Sequence, residues 1–267
     1  MRSKLSIILF LIMVLCCKET PVPVVEYSGE IVPRGDTLGY IVVDTMLDGR
    51  REVLRRGENL LGDIICDAVL WYANDSIFKD TLRIDCALQN SGGIRLHDYM
   101  PPGTVRTENF PITDSFVKGV LPFSNRIVLL RNVSGSELKS IFERSAACIG
   151  KGGFLQVSYN VQVFIDTLKP AQEIDPTGFE IIREGERIDS IKINGKLVHP
   201  DSSYNILIND YIAFIGGDDF IAIEKMPDEK KFDTRRFYTN AVCAFIKKFT
   251  PIDSVDVKNY KNRIIFE

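Results

Sequence analysis

Strand-like and helix-like segments alternate irregularly along this chain, with no internal repeat, and that pattern points to a mixed α and β domain. From Asn59 to Tyr72 the residues Leu60, Leu61, Ile64, Ile65, Ala68, Val69 and Trp71 follow helical spacing, with Asp63 and Asp67 on the opposite face. Residues 82–89 read as a strand that feeds the turn Asn90-Ser91-Gly92-Gly93. A break at Leu121 to Asn125 precedes a β-rich run from Arg126 to Val133. Ser134 and Glu137 stand at capping-box spacing and open a helix through about Ser145. Beyond it the sequence predicts a strand from Phe154 to Ile165, loops over 166–187, and a hairpin from Ile188 to His199 turning at Asn194-Gly195. A strand from Tyr204 to Asn209 then runs into a loop from Asp210 to Asp219. A helix over 235–248 and a short strand over 263–266 close the chain, and Thr107 and Asp114 are expected to cap short helical turns.

Composition removes several alternatives. Hydrophobic residues make up 45% and charged residues 26%, which excludes wholesale disorder, collagen and coiled coil. A chain of 267 residues can bury roughly three quarters of its unfolded surface, so it needs no disulfide staples. Lys plus Arg number 33 against 36 Asp plus Glu, a net charge of −3, which argues against binding a nucleic-acid polymer through its phosphates. The only histidines are His97 and His199, too few for a His-rich metal centre.

The N-terminus reads as an export signal. Arg2 and Lys4 precede an apolar run from Leu5 to Leu15, about 11 residues, too short to span a bilayer but suited to a signal peptide. The run ends at Cys16-Cys17, which resembles a lipoprotein signal with Cys16 or Cys17 as the lipidation site; an ordinary secretory signal and an uncleaved anchor are the alternatives. The expected layout is a signal over 1–17, a Pro- and Glu-containing tether over 18–37 and one domain over 38–267, exported to the cell envelope and touching membrane only through a lipid anchor. The other cysteines, Cys66, Cys86, Cys148 and Cys243, show no C-x-x-C spacing and sit among apolar neighbours, as small buried hydrophobes do.

Four constellations carry chemistry. In Asn90-Ser91-Gly92-Gly93-Ile94-Arg95, two glycines allow close backbone approach to a ligand, Asn90 can meet a heterocycle edge, and Arg95 offers a planar fork to hydroxyls, carboxylate or phosphate. In Leu121-Pro122-Phe123 the proline stiffens a loop whose aromatic can stack on a base. Asn209 to Phe220 gathers aromatics, a double glycine and, directly after it, the two carboxylates Asp218 and Asp219, a set suited to ribose hydroxyls. Arg51, Arg55 and Arg56 form a basic cluster just before a helix. Gly150-Lys151-Gly152-Gly153 lacks the order of a phosphate-cradling P-loop, and His97-Asp98 with the distant His199 cannot build a two-metal centre.

Taken in order, Glu58-Asn59-Leu60-Leu61-Gly62-Asp63-Ile64-Ile65-Cys66-Asp67-Ala68, Asn90-Ser91-Gly92-Gly93-Ile94-Arg95, Leu121-Pro122-Phe123-Ser124-Asn125, Phe154-Leu155-Gln156-Val157-Ser158 and Gly216-Gly217-Asp218-Asp219-Phe220 resemble the C-terminal domain of the 5'-nucleotidase family, over roughly residues 50–225. The resemblance implies an α+β fold of mixed sheets with helices packed outside, layered α/β/β/α, that binds the nucleoside part of a nucleotide. It implies that the base stacks between Phe123 and Tyr211, that Asn90 meets the base edge, that Asp218 accepts the ribose hydroxyls, and that Arg55 and Arg95 are the ribose- and phosphate-side cations. One extra residue separates the aromatic from Gly-Gly-Asp, so Phe214 is the alternative to Tyr211, and Asp219 replaces a common glycine. No catalytic residue, metal ligand or cofactor is expected in this chain. The divalent metals of the family belong to an N-terminal metallophosphoesterase domain, which is expected on a separately encoded partner, with a nucleoside or nucleoside monophosphate as ligand.

Overall fold

The computed structural model of the protein describes residues 35–42, 46–106, 110–253 and 262–267. The expected export signal with Cys16 and Cys17, most of the expected tether and the expected Thr107 cap lie outside them.

The fold is α+β. Five strands form the central sheet, in the order Lys231–Phe237, Arg126–Ser134, Ser203–Asn209, Cys86–Asn90, Leu155–Val157. Ser203–Asn209 and Cys86–Asn90 run parallel, with Ile206 opposite Cys86; the other neighbours are antiparallel. Alternate side chains of these strands enter two different cores, because successive residues of a strand point to opposite faces. Ala87, Ile127, Leu129 and Leu207 pack under the helices Leu60–Tyr72 and Tyr238–Phe249. Cys86, Leu88, Val128, Leu130, Ile206 and Ile208 pack in a second core with the helix Gly135–Ala147 and a four-stranded sheet. That sheet has the order Lys196–Leu197, Ile188–Ile193, Val161–Ile165, Ile264–Phe266. Burial on both faces explains why the central strands read as continuous apolar runs, each large buried side chain contributing roughly 1.5–3 kcal/mol.

Local chemistry sets the element ends. Asn59 caps the helix Leu60–Tyr72, its Oδ1 accepting from the Leu61 N–H at 3.0 Å. Ser134 and Glu137 form the expected capping box, with reciprocal bonds of 3.1 and 2.7 Å. The hairpin Ile188–Ile193 to Lys196–Leu197 turns where Asn194-Gly195 allows positive φ, 52° and 73°.

Several expectations are corrected. The face of Asp63 and Asp67, opposite the apolar spacing, is no less buried than the apolar one: residues 61–70 of the helix Leu60–Tyr72 are all buried, and both carboxylates meet Arg263, itself 1% exposed. Thr113, not Asp114, caps the helix Asp114–Val120. The strand expected from Phe154 to Ile165 is two strands, Leu155–Val157 and Val161–Ile165. The C-terminal helix starts at Tyr238, because residues 231–237 form an edge strand of the central sheet. Residues 173–183 of the expected loop form a small hairpin. The segment after Asn209 is a helix, Asp210–Ile215, followed by a 3₁₀ turn, Gly217–Asp219. Cys66, Cys86 and Cys148 are buried free thiols, and Cys243 is a half-buried one.

Candidate functional site

The topology brings four loops to one edge of the central sheet. The parallel strands Cys86–Asn90 and Ser203–Asn209 both end there, at Asn90 and Asn209. The antiparallel strands beside them begin there, since Leu155 pairs with Asn90 and Ile127 with Asn209. The segments 91–95, 121–125, 150–153 and 210–219 are therefore neighbours, outside the carboxyl ends of two parallel strands, where open sheets form crevices.

Between them lies a cleft of about 570 Å³ lined by Arg55, Asn90, Gly92, Gly93, Arg95, Phe123, Asn125, Gly152, Asp210, Tyr211, Ile215 and Asp218. All six site residues named from the sequence line it. Phe214, the alternative to Tyr211, does not, whereas its neighbour Ile215 does. Phe123 is 55% and Tyr211 39% exposed, so both rings remain accessible in the cleft wall. The Arg95 guanidinium carbon lies 5.2 Å from the Phe123 ring centroid, within cation–π range. Tyr211 lies against the backbone of Gly217, and a Cβ at Gly217 would run into its ring.

Asn90 is buried at 2% exposure, and its amide is engaged inside the protein. Its Nδ2 donates to Asp218 Oδ2 at 2.7 Å, and its Oδ1 accepts from Asn209 Nδ2 at 2.8 Å. Asn209 is fully buried and caps the helix that carries Tyr211 through the Ile212 N–H, at 3.1 Å. Asn90 thus fixes the direction of the Asp218 carboxylate with one of its two amide N–H groups.

Asp218 sits at φ 58° and Asp219 at φ 57°, the left-handed region that disfavours side chains. Arg144 holds this strained turn, its Nε donating to the Asp218 carbonyl at 3.0 Å and its Nη2 pairing with Asp219 Oδ2 at 2.7 Å. Burial pushes the Asp218 carboxyl above the ordinary range, against the pull of Asn90, Arg144 and Arg55. Burial lowers the Arg55 pKa, and the nearby charges of Arg95 and Arg51 add to that. Among the described residues the Arg55 side chain has no hydrogen bond or ion pair, so this desolvated cation stands open to an anionic ligand.

Sequence reasoning sets aside the Gly150 to Gly153 loop because it is no P-loop, yet Gly152 is part of the cleft wall. The Gly92 N–H donates to the Gly152 carbonyl at 2.7 Å, and a Cβ at Gly92 would stand 3.0 Å from Gly152 Cα. The two glycine-rich turns are what allow these loops to touch. Asn125, Asp210 and Ile215 are further wall residues that the sequence does not single out. Asp210 accepts from the Arg126 backbone and side chain at 3.0 and 2.9 Å, closing the cleft's far wall. Arg51 and Arg56 do not line the cleft; Arg51 pairs with Asp98 at 2.9 Å. Among the described residues no three His, Cys, Asp or Glu side chains converge as a metal site would require.

Comparison with known proteins yields one family. The family model described as 5'-nucleotidase, C-terminal domain, matches residues 38–225. The 5'-nucleotidase of Diplobatis ommata is 30% identical over 80% of this chain and 34% of its own length. The trifunctional nucleotide phosphoesterase protein YfkN of Bacillus subtilis (strain 168) is 28% identical over 70% of this chain and 11% of its own. The crystal structure of a 5'-nucleotidase precursor from Thermus thermophilus superposes with a TM-score of 0.65 at 25% identity, covering 85% of this chain and 39% of that one. The chain spans about a third or less of the length of these two curated relatives.

Proposed function

The chain belongs to the 5'-nucleotidase C-terminal domain family, and from that premise we propose that its cleft recognises the nucleoside part of a nucleotide. A flat base enters between Phe123 and Tyr211, where each ring contributes roughly 1–3 kcal/mol of stacking. Asp218, held by Asn90, accepts the vicinal ribose hydroxyls, and two hydrogen bonds to an ionised carboxylate exceed what neutral acceptors supply. Arg55 and Arg95 face the phosphate. The observation that carries this reading is a convergence on a single 570 Å³ cleft: two exposed rings, one oriented carboxylate and an arginine unpaired among the described residues. That volume suits a small ligand.

The residues that line the cleft offer stacking rings, a hydroxyl acceptor and cations, groups that bind and orient a nucleotide. We read the chain as the substrate-recognition subunit of a split 5'-nucleotidase. A separately encoded metallophosphoesterase then supplies the metals, which activate water and stabilise the phosphoryl group. This chain's task is to bind and orient, so that the phosphate points out of the cleft toward the partner's surface. Export by the N-terminal signal, with a lipid on Cys16 or Cys17, would hold the pair at the cell envelope.

Calorimetry with adenosine and AMP, followed by turnover assays with the partner added, tests the reading. Binding of both ligands, and a Michaelis constant of the partner that falls when this chain is present, is the expected result. A partner with full activity and an unchanged Michaelis constant in its absence refutes the split enzyme. Because the rings, the carboxylate and the cations all come from one chain, ligand capture without hydrolysis is the second reading, and binding that no partner modifies would favour it.

A further inference from the structure

We propose that Arg263, acting through Glu58, is a positioning residue for Arg55; that this matters for phosphate recognition rests on the reading above. The Arg55 side chain makes no hydrogen bond or ion pair among the described residues, so what the fold fixes is the point from which it reaches the cleft, its backbone in the turn between the helices Arg51–Leu54 and Leu60–Tyr72. That turn is held from two sides. On the cleft side the Arg55 carbonyl accepts the Gly150 N–H at 2.7 Å, and Gln156 Nε2 donates to the Leu54 and Gly57 carbonyls at 3.0 and 2.9 Å. On the far side Glu58 Oε2 accepts the N–H groups of Arg263 and Ile264 at 2.8 and 3.3 Å, across 205 residues of sequence to Arg263. Phe266, on the same short strand, reaches 3.7 Å from where a Cβ on Gly57 would stand.

The Arg263 side chain fixes the height of that strand. Its guanidinium is buried and forks onto Asp67, at 2.9 and 2.8 Å, with a third bond to the Val157 carbonyl at 2.8 Å. Sliding the strand by one residue would leave an arginine and an aspartate in the core, each without its counter-charge, an arrangement that burial strongly disfavours. A buried ion pair therefore sets the strand, the strand's amides set Glu58, and Glu58 sets the turn from which Arg55 reaches the cleft. Arg263 lies beyond the span that the family model matches, residues 38–225.

The test compares Glu58→Ala, Glu58→Gln and Arg263→Lys in the full chain, reading AMP and adenosine affinity by calorimetry and the amide exchange of Gly150. Glu58 lies in the turn rather than the core, so its variants should fold. Expected is an AMP affinity about tenfold weaker in Glu58→Ala and Arg263→Lys, the loss of one charge-assisted contact, with adenosine unchanged and Gly150 exchanging faster. Glu58→Gln, which keeps an acceptor oxygen, should behave as wild type. An unchanged AMP affinity, or an equal fall for AMP and adenosine, overturns the proposal. If the wild-type chain binds neither ligand, the nucleotide reading fails instead, and Gly150 protection still decides: unchanged protection in Glu58→Ala ends the positioning role.

Discussion

Asn90 Nδ2 meets Asp218 Oδ2 at 2.7 Å, joining two turns 128 residues apart. The pair converts a flexible carboxylate into one with a fixed direction. Asp218→Asn should therefore weaken adenosine by about tenfold or more while sparing free adenine, which has no ribose. Asn90→Ala should reproduce part of that loss through the same carboxylate. Calorimetry with the two ligands checks both, and an equal loss for adenine would remove the sugar-binding role from Asp218.

The two rings should dominate affinity. Phe123→Ala and Tyr211→Ala are each expected to cost roughly 1–3 kcal/mol of nucleoside binding. Phe214→Ala should cost little, because Phe214 does not line the cleft. Gly217→Ala should mimic the Tyr211 loss, since its methyl group would displace the ring. Loss of binding in Phe214→Ala with retention in Tyr211→Ala would reverse the assignment.

Acid should weaken binding early. Burial holds the Asp218 pKa above the ordinary value, so the carboxylate takes up its proton at a higher pH than an exposed aspartate and loses acceptor capacity there. Adenosine affinity measured against pH should fall on acidification before ordinary carboxylates titrate, at about pH 3.9. The same scan in Asp218→Asn should be flat over that range.

Stability should fall, not rise, as pH climbs through the neutral range. Asp63 is fully buried, and burial, reinforced by the charges of Glu58 and Asp67 and opposed by Arg263, raises its pKa to about 8. In the unfolded chain it ionises near pH 3.9. Between those values the folded state holds a proton that the unfolded state has released, so each step upward in pH favours unfolding. Urea denaturation at a series of pH values should show this slope, and Asp63→Asn should flatten it. A stability maximum near pH 8 in the wild type would contradict a protonated Asp63.

A substitution far from the cleft gives the control. Ser134→Ala removes one half of a capping box and should cost about 1 kcal/mol of stability. Nucleoside affinity should not change, because the Gly135–Ala147 helix start lies outside the cleft lining. Thermal melts and calorimetry on the same preparation separate the two effects.

Much of this is legible in the residues, and the misses share causes. The helix at Asn59 to Tyr72 announces itself by period, but the burial of its two acids does not, because Arg263, their partner, comes from the far end of the chain. The edge strand Lys231–Phe237 escapes because its exposed, charged residues carry no apolar alternation. The segment from Asp210 to Ile215 looks like a loop, since glycines and aspartates follow it, yet Asn209 caps a short helix there. Phe123, Tyr211, Asp218, Arg55 and Arg95, which the family resemblance implies, all line the cleft. Gly152, another wall residue, is not so implied, because its part is to be absent where Gly92 passes, and such an absence has no local signature. The engaged amide of Asn90 is equally invisible, since it depends on Asn209, whose neighbourhood only the paired strands create.

The four segments around the cleft hang from strand ends whose order along the sheet differs from their order along the chain. No contiguous peptide holds even half of the cleft's wall, and no partly paired sheet offers a weaker version of it. Occupancy by a small molecule should consequently act as an all-or-none witness of folding: a destabilised variant would not bind loosely, but would show a smaller fraction of molecules that bind at full strength.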